Sequence, residues 1–215
     1  MLGEHGDRRM ARLEADGRKT TLADRYQGKR LNSPNDLVFK SNGDLYFTDP
    51  PFGLPKAFDD PRKELAFSGV YRLSSSGELT LLTRDIKAPN GIAFSPSEKT
   101  LYVSNADPNH AVWLAYDVRD DGTLANGRVF SEPGGTPDGF RLDVDGNLWC
   151  GWGMGNEKQD GVKIFDPTGK PIGFIALPER CANVCFGGVK RNRLFMAASH
   201  AVYSLYVNTQ GVKGG

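Results

Sequence analysis

The sequence predicts an all-β fold of the propeller type, and three observations carry that prediction. A short motif stands ahead of an apolar stretch three times: SPNDLVF from Ser33, APNGIAF from Ala88 and TPDGFRL from Thr136. Each copy opens the same succession of four short strands. The 26 glycines and 13 prolines are spread along all 215 residues, as turns between short strands require and as a linker or disordered tract does not.

In the first full repeat the strands are DLVF, LYFTD, GVYRL and LTLLT, with SNGD and SSSGE as turns. The second runs GIAF, LYVSN, VWLAYDV and a last strand near GRVF; the third runs GFRL, LWCGW, VKIFD and FIALP. A fourth copy supplies VCF, LFMAA and VYSLYV, and at the other end RMARLE and TTLAD match the third and fourth strands of a repeat. Asn35, Asn90, Asp138 and Ala182 are equivalent positions, at intervals of 55, 48 and 44 residues. A unit of that size with four antiparallel strands is a propeller blade. The expectation is a single propeller domain over residues 1–215, with three whole and two partial blades and an N-terminal blade and a half missing.

Charge excludes several partners. Lys plus Arg is 27 and Asp plus Glu is 26, so no field draws the chain to nucleic acid or an anionic membrane. No apolar run approaches the roughly 20 residues that span a bilayer, and MLGEHGDRRMARLE is charged where a leader is apolar. A cytoplasmic chain is expected, or a periplasmic one if a segment precedes it. Cys150, Cys181 and Cys185 form no C-x-x-C pair and read as ordinary buried thiols. His5, His110 and His200 read as surface or packing residues.

The innermost strand of a blade lines the propeller axis, so Asn35, Asn90 and Asp138 are expected to gather at one face. Their amide and carboxylate oxygens suit a hard divalent cation. Calcium is the first expectation and magnesium or manganese the next; zinc stands last because its His and Cys partners are missing from these positions. Pro, Asn, Asp and Gly also build turns without any metal, and that alternative stays open here. The connection between second and third strands returns to the same face, which makes residues 49–68, with Phe52, Phe58 and Phe67, a candidate lid. Trp113 and Trp149 read as packing between blades, and Trp152 as a residue able to touch ligand. DVDGN at Asp143 to Asn147 has no closing Glu and reads as a hairpin turn rather than a calcium loop.

RLNSPNDLVF with NGDLYFTDPPFGL, APNGIAFSP with LYVSN, TPDGFRLDVDGNLW, and CFGG with GVKGG together resemble the senescence marker protein/gluconolactonase family, which includes regucalcin. The similarity runs along essentially the whole chain. It implies a six-bladed propeller that holds one divalent metal and hydrolyses sugar lactones. By position it makes Asn90 and Asp138 metal ligands, Asn35 a further ligand or a substrate contact, Asp138 the general base and Arg30 a candidate substrate contact. The family's remaining ligand, a glutamate of the first blade, has no counterpart here, and neither Glu4 nor Glu14 stands in its register. The expected function is opening of a sugar lactone by water at a metal-polarised carbonyl. The alternatives are a propeller that binds without catalysis and a phosphotriesterase-like hydrolase on the same metal site.

Overall fold

The structure, a computed structural model, describes every residue except Pro133, Thr136, Glu157, Gly214 and Gly215. Thr136, which opens the third motif, and the last two glycines of GVKGG therefore lie outside the described residues. The chain forms two compact units, Met1–Asn90 and Gly91–Gly215, whose boundary falls inside one strand.

The first unit opens with β1 (Leu2–Glu4), β2 (Arg9–Leu13) and β3 (Lys19–Ala23) in one antiparallel sheet. A two-stranded ribbon, β4 (Arg25–Tyr26) with β5 (Lys29–Arg30), leads to a four-stranded sheet of β6 (Leu37–Phe39), β7 (Leu45–Asp49), β8 (Gly69–Leu73) and β9 (Leu79–Thr83). Met10, Leu31, Phe47 and Tyr71 are fully buried within one cluster, where the rings of Phe47 and Tyr71 stack at 5.4 Å.

The second unit holds β10 (Pro89–Phe94), whose first two residues belong to the first unit, then β11 (Thr100–Asn105), β12 (Val112–Val118) and β13 (Leu124–Ser131) in one sheet. The next sheet is β14 (Pro137–Leu142), β15 (Leu148–Trp152), β16 (Gly161–Phe165) and β17 (Pro171–Ala176). The last is β18 (Cys181–Gly187), β19 (Arg193–Ala198) and β20 (Val202–Tyr206). Trp113 is fully buried against Phe140 and Phe165, 4.7 Å from the latter ring, so it packs between two sheets as expected. Trp149 does the same against Phe186 and donates its indole N–H to Asp143.

The fold is the all-β propeller class, with five blade sheets among the described residues: three of four strands and two of three. The sequence reading gave the first partial blade two strands, whereas Leu2–Glu4 pairs with Ala11–Arg9 and adds a third. Three residues are too few to show a period of two. The ribbon of β4 and β5 was also not anticipated.

Close approach between neighbouring sheets depends on absent side chains. A Cβ on Gly3 would lie 2.7 Å from the Asn35 carbonyl oxygen, and one on Gly151 would lie 2.7 Å from that of Cys181. Gly91 faces the Asp138 carbonyl too closely for any Cβ, and Gly139 faces the Asn183 side chain, which a Cβ would displace. Neither Gly91 nor Gly139 has a left-handed φ, so the glycines of the motif serve proximity rather than conformation. Gly91→Ala, whose Cβ would meet the Asp138 carbonyl at 2.4 Å, is expected to lower stability by roughly 1–3 kcal/mol, as overpacking does, while Gly6→Ala, which meets nothing within 4 Å, stays near neutral. Urea midpoints check this; equal midpoints for both variants would refute the proximity argument.

Candidate functional site

The motif ahead of β6 is set by buried hydrogen bonds. Asp49, at the end of β7 and with no exposed surface, accepts the backbone N–H of Asn32 and of Ser33 through its two oxygens, each at 2.8 Å. Burial pushes its carboxyl up to about 7, against the pull of those N–H groups and of the Arg8 and Lys63 cations. Asn35 donates its backbone N–H to the Thr48 carbonyl at 2.8 Å. The Thr48 hydroxyl donates to the Asn90 carbonyl at 2.7 Å and accepts from Asp36 N at 3.1 Å.

These bonds bring two of the three repeat positions together. Asn35 Nδ2 donates to Asn90 Oδ1 at 2.5 Å, and Asn35 Oδ1 lies 3.2 Å from His5 Nε2. Asn90 is buried and Asn35 half-buried. His5, read from sequence as a surface or packing residue, thus belongs to the site. Its contact spans 30 residues and depends on β1, the strand the periodicity did not reveal.

The insertion between β7 and β8 lies against the same residues. Ser33 Oγ donates to the Pro50 carbonyl at 2.6 Å and accepts from Gly53 N at 2.8 Å. A Cβ on Gly53 would come within 2.5 Å of the His5 Cβ. Leu54 and Leu65 anchor the insertion in buried positions, and the rings of Phe52 and Phe58 meet edge to face at 6.3 Å. Phe67 packs on the core of this unit beneath Arg84.

Asp138 lies in the second unit, at a β-bulge. Pro137 pairs with Trp152 and Phe140 with Cys150, so Asp138 and Gly139 together oppose a single residue of β15. The equivalent Ala182 is the extra residue of a bulge in β18. Bulges re-aim side chains and recur beside functional sites. The Asp138 carboxylate is mostly buried and accepts from the Arg180 guanidinium. Arg180 was missed from sequence, because it belongs to the loop ahead of the fourth repeat rather than to any motif. Arg30 sits on the ribbon, where its side chain donates to the Asp7 carbonyl at 2.8 Å and its backbone N–H to Glu64 at 2.8 Å; neither bond reaches Asn35.

Glu4 is held by Arg9 at 2.6 Å and by Lys19, which hold its carboxyl below the usual range; Glu14 pairs with Arg12 at 2.9 Å. Asp143 is spent on its hairpin: it accepts from Asp145 N and Asn147 N at 3.0 and 2.8 Å, while Gly146 takes φ +83°, so DVDGN is a turn. Trp152 is buried beside Trp113 and Phe165, and with Lys158, Gln159, Lys163 and Phe174 it borders an open cavity of about 350 Å³. Cys150 and Cys181 are buried, but Cys185 is exposed, contrary to the sequence reading. The bulge at Ala182 shifts the inside-outside alternation by one residue and turns Cys185 outward. His200 pairs with Glu179 at 2.7 Å, and His110 donates its backbone N–H to the Asp107 carbonyl at 2.9 Å.

The two touching carboxamides are oxygen donors of the type hard cations take, and each amide oxygen carries two lone pairs, so one hydrogen bond does not exhaust it. The residues therefore fit such an ion by donor chemistry. Among the described residues no three His, Cys, Asp or Glu side chains are grouped for a metal, and none of the described helices is long and apolar enough to cross a membrane.

Residues 2–200 match the model of the SMP-30/gluconolactonase/LRE-like region. A gluconolactonase of Zymomonas mobilis is 37% identical over 98% of this chain and 60% of its own length. The solved structure of a gluconolactonase from Xanthomonas campestris superposes with a TM-score of 0.83 at 40% identity, over 94% of this chain and 66% of that one. The diisopropyl-fluorophosphatase of Loligo vulgaris is 25% identical over 81% of this chain and 57% of its own length. The chain thus spans under two thirds of each of these relatives.

Asp49 gives this site a pH signature. Its carboxyl is raised from 3.8 to about 7 in the folded state, so the native chain binds the extra proton and stability falls as pH rises through that window. Melting of the wild type is expected to weaken between about pH 4 and pH 8 relative to Asp49→Asn, by an amount on the order of a few kcal/mol. Parallel melting curves for both proteins across that range would contradict the assignment.

Proposed function

The chain belongs to the SMP-30/gluconolactonase/LRE-like family, and from that premise we propose that it is a metal-dependent hydrolase that opens sugar lactones. The observation that carries the reading is the contact between the Asn35 and Asn90 carboxamides. They hold the repeat position that Asp138 holds in the third motif. Turn chemistry alone orders backbone; it does not call for two side-chain amides, 55 residues apart, to meet.

Asn35, Asn90 and Asp138 are the proposed ligands of one divalent cation, calcium first by donor type. Asp138 joins them on repeat register and family membership. When bound, the ion would draw charge from the lactone carbonyl oxygen, a stabilisation of several kcal/mol in such hydrolyses. Asp138 accepts the proton of the attacking water. The Arg180 guanidinium, which donates to the Asp138 carboxylate, fixes its direction, so Asp138 serves as a base through position. The insertion carrying Phe52 and Phe58 limits water around Asn35.

A second reading keeps the residues and changes the ester, because the similarity extends to a fluorophosphatase. Asp138→Asn is expected to slow gluconolactone hydrolysis by roughly 10²–10⁴-fold and to weaken calcium binding measured by calorimetry. Equal turnover by both proteins would remove Asp138 from the mechanism. Turnover of a fluorophosphate but not a lactone would decide for the second ester, and absence of divalent binding would leave a propeller that binds without catalysis.

A further inference from the structure

We propose that His5 is a positioning residue, which sets the orientation of the Asn35 carboxamide and through it that of Asn90, so that the insertion above His5 governs how well these amides receive a cation. This rests on the cation reading of the site.

The direction of each hydrogen bond follows from its neighbours. Asn35 uses Nδ2 as the donor to Asn90 Oδ1 at 2.5 Å. Its Oδ1 is then the atom facing His5 Nε2 at 3.2 Å and can only accept, so the imidazole Nε2–H donates. The three side chains form a relay of one sense, His5 to Asn35 to Asn90. An amide without a fixed partner can turn by 180° and exchange its oxygen for its NH2; that exchange would offer a cation the wrong atom. The His5 bond opposes it.

The imidazole is itself held. Gly53 leaves no room for a Cβ: one placed there would meet the His5 Cβ at 2.5 Å and the Ser33 Cβ at 2.9 Å. Gly53 N is tied to Ser33 Oγ at 2.8 Å, which stands two residues ahead of Asn35. Gly3, two residues before His5, passes the Asn35 carbonyl at a distance that excludes a Cβ. Three constraints thus fix His5 relative to Asn35, and the insertion supplies two of them through Gly53. Outer-shell partners of metal ligands act in this way on affinity.

The test compares wild type with His5→Ala, His5→Gln and Gly53→Ala in two measurements. In metal-free protein, NMR follows the side-chain amide signals of Asn35, with those of Asn42, bonded to Asp44 at 3.0 Å, as the reference. The Asn35 signals are expected to move in His5→Ala and Gly53→Ala and to return toward wild type in His5→Gln, which restores an N–H donor; Asn42 stays put. Calorimetry with calcium is expected to show about tenfold weaker binding for His5→Ala and Gly53→Ala, with His5→Gln closer to wild type. Unmoved Asn35 signals in His5→Ala, or calcium affinity equal to that of a calcium-binding wild type, would overturn the proposal. A wild type that takes no calcium would instead remove the cation reading and the affinity claim with it, while the Asn35 signals still decide whether His5 orients the amide.

Discussion

The constraint behind this molecule is the spacing of neighbouring sheets where each repeat begins. Gly3, Gly91 and Gly151 each run so near to the backbone of a neighbouring sheet that a methyl group cannot fit, and Gly139 runs against the Asn183 side chain. That proximity lets residues of one repeat bond to residues of another. Thr48 reaches the Asn90 carbonyl, Asn35 reaches the Asn90 amide, and in the second unit Arg180 reaches Asp138. Polar groups drawn from water at such places need partners within the protein. The hydroxyls, amides and carboxylates of the motifs supply them to one another.

The same repeat positions also carry irregular strands. Asp138 and Ala182 both fall at bulges, where a side chain leaves the regular alternation of its strand. A carboxylate at such a point can turn away from the apolar layers, in which Trp113 and Phe165 are packed, toward polar company. Asp49 represents the opposite case: its carboxylate stays inside, spends both oxygens on backbone N–H groups and acquires a raised proton affinity as the cost. One carboxylate is thus held by backbone N–H groups and the other by a guanidinium.

Much of this was legible in the sequence. LYFTD, GVYRL, LTLLT and LWCGW match strands residue for residue, because the repeat and its flanking turn residues mark them. Asn35 and Asn90 stood out through repeat register. The hydroxyls of Thr48 and Ser104, at one position of LYFTD and LYVSN, gained a meaning only from the structure, where they accept from Asp36 N at 3.1 Å and Gly91 N at 2.8 Å. His5 and Arg180 were hidden for a different reason. Their partners lie 30 and 42 residues away, and neither belongs to a recurring pattern. The exposure of Cys185 was hidden as well, since a bulge has no signature in a single sequence.

The most direct test of the central claim is anomalous diffraction from crystals soaked in Mn²⁺, a spectroscopically and crystallographically distinct stand-in for a hard cation. One peak within about 2.5 Å of oxygens from Asn35, Asn90 and Asp138 is the expected result, in keeping with hard-cation bond lengths. A peak elsewhere, or an undisturbed Asn35 to Asn90 hydrogen bond with no peak beside it, would contradict the account.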